Sequence, residues 1–130
     1  MRQGYIFINN NIFPTLLAIS AEEQQQGLMY VEPPAPVMSF IHSHPQINKI
    51  WMKSTPSPLD ILFCHAGKIS EICVGEPFST RIIGSNLLSD LVVELPYGTV
   101  DSTKIKIGQS VGLVKPTFTE LKKIISSLRY

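Results

Sequence analysis

Short apolar runs separated by turn residues recur along most of this chain, and they constrain its fold more than any other feature. The clearest two runs would fold back on each other around Ala66-Gly67, where two residues suffice for a tight hairpin turn. Runs of this length that are rich in β-branched and aromatic residues predict strands. We therefore expect a mostly β protein with strands near Tyr5–Ile8, Ile12–Ile19, Val37–Phe40, Ile50–Lys53, Leu59–Cys64, Lys68–Val74, Leu91–Leu95 and Gln109–Val114.

Two segments carry helical signals instead. Ser20-Ala21-Glu22-Glu23 fits a capping box, and Gly27 suits the end of a short helix over Ala21–Gln26. Near the C-terminus, a second capping box precedes apolar residues at helical spacing, which predicts an amphipathic helix over residues 117–128. With 130 residues and no linker, the chain is expected to form one domain over residues 1–130.

Composition excludes several classes of function. The net charge is only +1 and the basic residues are scattered, whereas nucleic-acid binding needs a concentrated basic surface. No apolar run approaches the ~18 residues that span a bilayer, so no membrane partner is expected. The apolar start Tyr5–Ile8 is interrupted by Asn9-Asn10-Asn11, which does not suit a signal peptide. We therefore expect a cytoplasmic protein.

Cysteine and histidine residues give little support for a redox or metal site. In the predicted hairpin Cys64 faces Ile69 and Asp60 faces Cys73, which places the two sulfurs too far apart for a disulfide and predicts free thiols. His42 and His44 could contact a metal from one side of an extended segment, but no third ligand is indicated. Metal-protease, P-loop and dinucleotide-binding motifs are absent from the sequence, so no cofactor is expected.

The most informative segment runs from Trp51, the only tryptophan, to Asp60. In an extended chain Trp51 and Lys53 point to one side, while Ile50 and Met52 point to the other. Pro56 and Pro58 stiffen the connection that follows. This segment therefore predicts a rigid turn that holds Thr55 and Asp60 in a fixed relation to Lys53.

Lys53 allows three interpretations in this apolar setting. It could form a buried ion pair with Asp60 or Glu94 that fixes the strand arrangement. It could bind an anionic group beside Trp51, or act as a catalytic base or Schiff-base lysine. The Thr55 hydroxyl could likewise bind a ligand or close the turn.

Three motifs resemble one known family. Trp51-Met52-Lys53-x-Thr55-x-x-Pro58-Leu59-Asp60-Ile61 is similar to the central motif of the domain of unknown function 192 family, although Ser54 stands where that family usually has Asn. Gly27-Leu28-Met29 and Val93-Glu94-Leu95-Pro96-x-Gly98-Thr99 resemble its flanking signatures. The resemblance covers about residues 12–114 and implies a family-like β core there, folded as a compact β-sandwich or jelly-roll-like barrel. It implies no established biochemical function.

Three functions follow from these patterns. The leading hypothesis is a non-enzymatic binding module that presents Trp51, Lys53, Thr55, Asp60 and Glu94 to a small or peptide-like anionic ligand. The second is a structural or interaction protein that assembles as a homodimer through the C-terminal helix. The third is a carboxylate-dependent hydrolase that uses Asp60 and Glu94, and an enzyme is the less favoured class.

Overall fold

The computed structural model describes residues 1–114, so the helix predicted over 117–128 lies outside the described residues. The mostly β expectation is confirmed. Two short helices, α1 (Ala21–Gln26) and α2 (Thr99–Thr103), accompany the sheet. Its strands are β1 (Arg2–Ile8), β2 (Asn11–Ala18), β3 (Met38–Ile47), β4 (Leu59–His65), β5 (Lys68–Gly75), β6 (Leu88–Pro96) and β7 (Val111–Val114).

The seven strands form one curled sheet in the order β5-β4-β6-β3-β2-β1-β7. The pairing of β2 with β3 is parallel, and the other pairings are antiparallel. The two ends of the sheet meet where the Ile69 amide donates to the Gln109 carbonyl at 3.0 Å and the Val111 amide donates to the Gly67 carbonyl at 2.9 Å. Because these bonds flank one isolated bridge and not a strand ladder, the described residues form a half-barrel from a single sheet; the finer expectation of a β-sandwich or jelly-roll-like barrel is not confirmed.

The two faces of the sheet bury separate apolar clusters because side chains alternate along each strand. One cluster joins β1 and β7 to β4, β5 and β6, which lie at the other end of the sheet, so it fills the concave side of the curl. The second cluster contains Phe40, Ile61 and Val92 and is covered by the loop residues Leu28, Ala35 and Met52. The candidate site lies on this second, covered face.

Several local predictions are confirmed, and others are wrong. Helix α1 spans the predicted residues, and its capping box is formed by reciprocal bonds between Ser20 and Glu23. The predicted strand at Ile50–Lys53 is not formed, because its backbone pairs with a loop through one isolated bridge, Ile50 to Ile83. Strand β3 instead continues through the polar residues that follow Phe40.

The hairpin of β4 and β5 was predicted with a register that is half correct. Cys64 does face Ile69, but a bulge beyond that pair shifts the rest of β5, so Asp60 faces Val74 and Ile61 faces Cys73. Both cysteines are free, as predicted. Among the described residues, no helix is long and apolar enough to cross a bilayer.

Candidate functional site

The segment before the proline-braced turn is held against a loop on the covered face of the sheet. The Ile50 amide donates to the Ile83 carbonyl at 2.9 Å, and the Met52 amide donates to the Ser79 carbonyl at 2.9 Å. Met52 is buried, whereas Trp51 and Lys53 are exposed. The alternation predicted from the sequence is therefore present, although the segment is not a strand.

Three neighbouring loops fix the turn that follows. The amides of Tyr30, Phe78 and Tyr97 donate to the carbonyls of Ser54 at 2.7 Å, Thr55 at 3.0 Å and Pro58 at 3.1 Å. Within the turn, the Thr55 hydroxyl donates to the Lys53 carbonyl at 3.1 Å, so this hydroxyl closes the turn. Trp51 and Lys53 are therefore presented from a rigid backbone.

Trp51 stands between two adjoining clefts. The inner cleft has a volume of ≈ 200 Å³ and is lined by the end of α1, by Phe40, Ile50, Trp51 and Thr55, and by Glu94. The outer cleft has a volume of ≈ 360 Å³ and is lined by Tyr30, Trp51, Ser54 and two charged residues, Glu22 and Lys53. Gln25, Gln26, Met29 and Trp51 line both clefts, which therefore adjoin each other along α1, and we refer to the two together as the groove.

Glu94 is a buried carboxyl group in the inner cleft. It is 4% exposed and lies in the sheet between Met38 of β3 and Ile61 of β4. The Glu94 carboxyl makes no hydrogen bond with residues 1–114. Every fully buried side-chain oxygen in that part of the chain has a partner, so the oxygens of Glu94 are not fully buried. The carboxyl oxygens therefore keep some contact with solvent, and Glu94 lines the inner cleft. Burial raises the pKa of Glu94 to about 8, so the group is mostly protonated at neutral pH.

Lys53 does not form the predicted buried ion pair. Its side chain is exposed, and its ammonium nitrogen lies over the Trp51 ring, 5.2 Å from the ring centroid. A cation–π contact at an exposed site contributes ~0.5–1 kcal/mol, which is enough to favour this rotamer without fixing it. The ammonium is therefore accessible from the outer cleft.

Asp60 belongs to a different part of the molecule. Because Ile61 faces Glu94 across the sheet and Asp60 faces Leu95, the two carboxyl groups point to opposite faces. The Asp60 carboxylate accepts from the amides of Gly98 at 3.1 Å and Val100 at 2.9 Å, which lie at the start of α2. Asp60 thus anchors α2, and the structure does not bring it together with Trp51, Lys53, Thr55 and Glu94.

The histidines show no metal centre. The ring Nδ1 of His42 lies 3.2 Å from the side-chain nitrogen of Gln46, and burial lowers the pKa of His42. Within residues 1–114, no group of three or more His, Cys, Asp or Glu side chains is arranged to hold a metal ion. Burial also raises the pKa of Cys64 to about 12 and that of Cys73 to about 11, so neither sulfur is an activated thiolate at neutral pH.

Sequence reasoning missed one wall of the groove. Helix α1 and the turn after it contribute Gln25, Gln26 and Met29, and β3 contributes Phe40. The Gly27-Leu28-Met29 motif was the available signal, because its glycine has a φ of +49° that turns the chain back over the sheet. A Cβ at Gly27 would lie 3.3 Å from the Phe40 ring, so the same residue sets the width of the cleft.

The fold and groove define a small half-barrel β domain with a surface cleft that is lined by aromatic, apolar and a few polar residues. The sequence profile of DUF192, a family described as "Uncharacterized ACR", matches residues 6–113. The chain belongs to the DUF192 family, which confirms the resemblance drawn from its motifs.

Two crystal structures are similar to this chain. One, from Sinorhizobium meliloti 1021, is described as a "putative transcription regulator" and is 30% identical in sequence to this chain. Its TM-score is 0.81, and the match covers 86% of this chain and 94% of that one. The other is a protein of unknown function from Novosphingobium aromaticivorans DSM 12444, with 23% identity, a TM-score of 0.75, and coverage of 85% and 83%. A search of curated protein sequences found no match.

Proposed function

We propose that this protein is a non-enzymatic binding module for a small or peptide-like anionic ligand, which it holds in the groove beside Trp51. The observation that carries the proposal is an accessible ammonium group, Lys53, placed over an indole ring in the outer of two adjoining clefts. Binding sites commonly combine apolar and aromatic walls with a few polar groups that orient the ligand. Here Phe40 and Ile50 supply the apolar walls, and Lys53 supplies the attraction for an anion.

Protonation of Glu94 makes the groove compatible with an anion. Because its pKa is raised to about 8, the inner cleft carries little negative charge at neutral pH. The nearby cation Lys49 lies with its ammonium 2.9 Å from the carbonyls of Gly84 and Ser85, so it mainly secures a loop. Lys53 is therefore the cation that the groove offers to a ligand.

The alternative functions have less support. A hydrolase that uses Asp60 and Glu94 would need both carboxyl groups in one cleft, and they lie on opposite faces of the sheet. Regulation of transcription, the description attached to one similar structure, would require a nucleic-acid surface if it acted through direct DNA contact. A net charge of +1 without a basic stripe does not favour that. Assembly through residues 117–128 stays a prediction.

The experiment uses Trp51 as its reporter, since it is the only tryptophan and is 44% exposed. Carboxylates, nucleotides and inorganic phosphate are screened by thermal shift, and the ligands that stabilise the protein are titrated by tryptophan fluorescence. Lys53→Met should weaken binding about tenfold, the effect of losing one charge-assisted hydrogen bond. Lys106→Met, which removes an exposed lysine outside the groove, is the matched control.

The proposal fails if no anion changes the melting temperature or the Trp51 emission. It also fails if Lys53→Met and Lys106→Met weaken binding equally, because the attraction would then come from overall charge.

A further inference from the structure

We propose that the groove takes a zwitterionic ligand of the amino-acid or short-peptide class, with its ammonium group at Glu94 and its carboxylate at Lys53. This inference rests on the proposed function and adds a positively charged ammonium group to the ligand. The observation behind it is that Glu94 lines the inner cleft without a hydrogen-bond partner among the described residues, although it is 4% exposed. A carboxyl in this position needs a hydrogen-bond partner, which water or a ligand can supply.

The walls around Glu94 suit a cation. The aromatic rings of Phe40 and Trp51 line the same cleft, and aromatic faces attract ammonium groups, most strongly where water is excluded. The rest of the wall is uncharged, apart from Lys49, whose ammonium is held by the carbonyls of Gly84 and Ser85. Glu94 is neutral in the free protein at neutral pH, but once it has lost its proton it is the one negative charge on this wall and attracts an ammonium group.

Gln24 and Thr55 line the inner cleft with Glu94 but are already engaged, whereas the side-chain amides of Gln25 and Gln26 line it without bonding Glu94. Gln24 uses its side-chain nitrogen to donate to the carbonyls of Ala18 at 3.1 Å and Ile41 at 2.8 Å. The Thr55 hydroxyl donates to the Lys53 carbonyl. The neighbours of Glu94 on the adjacent strands, Met38 and Ile61, are apolar. In the proposed complex, the ligand takes this open donor position.

Binding of an ammonium group at Glu94 includes a proton transfer that can be measured. At pH 7 the free protein holds a proton on this carboxyl, because its pKa is about 8. Pairing with an ammonium requires the carboxylate, so one proton passes from Glu94 to solvent as the ligand binds. Affinity should therefore rise by up to about tenfold per pH unit between pH 6 and 8. A ligand that only accepts a hydrogen bond from protonated Glu94 would bind more weakly as the pH rises above 8.

The contributions of the ligand's ammonium and carboxylate groups can be tested with one peptide in three forms. The probes are alanylalanine, N-acetyl-alanylalanine, which lacks the ammonium, and alanylalanine amide, which lacks the carboxylate. A parallel set of 5-aminopentanoate, pentanoate and pentylamine removes any dependence on side-chain identity. Binding is followed by Trp51 fluorescence, and proton release is measured by calorimetry in buffers of different ionisation enthalpy.

The expected result is that a zwitterionic form binds at least tenfold more tightly than both of its singly charged relatives and releases a proton at pH 7. Glu94→Gln should remove the preference for the ammonium, and Lys53→Met should remove the preference for the carboxylate. If anions bind but the ammonium group makes no difference, this inference is wrong while the proposed function stands. If none of the probes binds and no anion does, both are overturned.

Discussion

Replacement of Glu94 with glutamine should flatten the dependence of stability on pH. The native state keeps the proton of Glu94 up to a pKa of about 8, whereas the unfolded chain releases it near the ordinary value of 4.5. Between these values the native state binds more protons, so the free energy of unfolding falls as the pH rises. The stability contributed by the protonated group is complete below pH 4.5 and is lost progressively by the time the pH passes 8.

The size of the effect follows from the separation of the two pKa values. About 3.5 pKa units, at ~1.36 kcal/mol each, correspond to roughly 5 kcal/mol, and part of this can be relieved by water entering the cleft. We therefore expect the difference in unfolding free energy between Glu94→Gln and the parent to grow by about 3–5 kcal/mol in favour of the variant from pH 4.5 to pH 9.

Urea denaturation at pH 4.5, 6, 7.5 and 9 measures this difference. With a slope of ~1–3 kcal/mol/M, the midpoint of the variant relative to that of the parent should rise by more than about 1 M across the range. Glu76→Gln, which removes an exposed carboxylate, is the control for the change in charge. A difference between variant and parent that stays constant with pH would refute the reasoning, because Glu94 would then not hold its proton through burial.

Two further predictions concern the frame around the groove. Asp60→Asn should destabilise the protein by about 2–3 kcal/mol in urea denaturation, because a charged acceptor of two amides is lost. The control Asp101→Asn, on the exposed side of α2, should cost less than about 0.5 kcal/mol. Equal losses in the two variants would contradict the anchoring role of Asp60. Ser54→Gly should stabilise the chain by ~0.5–1 kcal/mol and Ser54→Asn by less, because Ser54 has a φ of +56°. The control Ser43→Asn lies in β3 and should not stabilise the chain. Thermal unfolding of the three variants measures these differences.

Much of the fold could be predicted because its local signals are self-contained. The capping box of α1 and the β4–β5 hairpin each depend on residues that are close in sequence. The strand at Ile50–Lys53 was mispredicted for the opposite reason. Its apolar pattern is real, but its backbone partners lie about 30 residues away at Ser79 and Ile83, in a loop that forms no ladder. Pattern alone does not distinguish an extended segment from a strand.

The residue types of the candidate site could be predicted from the sequence, but the faces of the sheet on which they lie could not. Whether Asp60 or Glu94 reaches the face of Lys53 depends on the register of β4 against β6, where a change of one residue exchanges the two faces. Both strands are apolar on both faces, so their patterns do not fix that register. The departure at Ser54 has a clearer meaning: a position with positive φ favours Asn or Gly, which agrees with the Asn usual in the family motif.

The difference between the expected ion pair and the observed arrangement also bears on function. An ion pair between Lys53 and Glu94 would satisfy both groups internally and leave nothing for a ligand to bind. In the structure, Trp51 lies between the inner cleft that contains Glu94 and the outer cleft that contains Lys53. The indole attracts the ammonium of Lys53 to its own face, while burial keeps Glu94 protonated and thereby removes the charge that would draw the lysine inward. The Lys53 ammonium and the Glu94 carboxyl are thus both stable in the unliganded protein, and neither is neutralised by the other. The proposed binding of a zwitterion requires that both groups stay free to interact with a ligand.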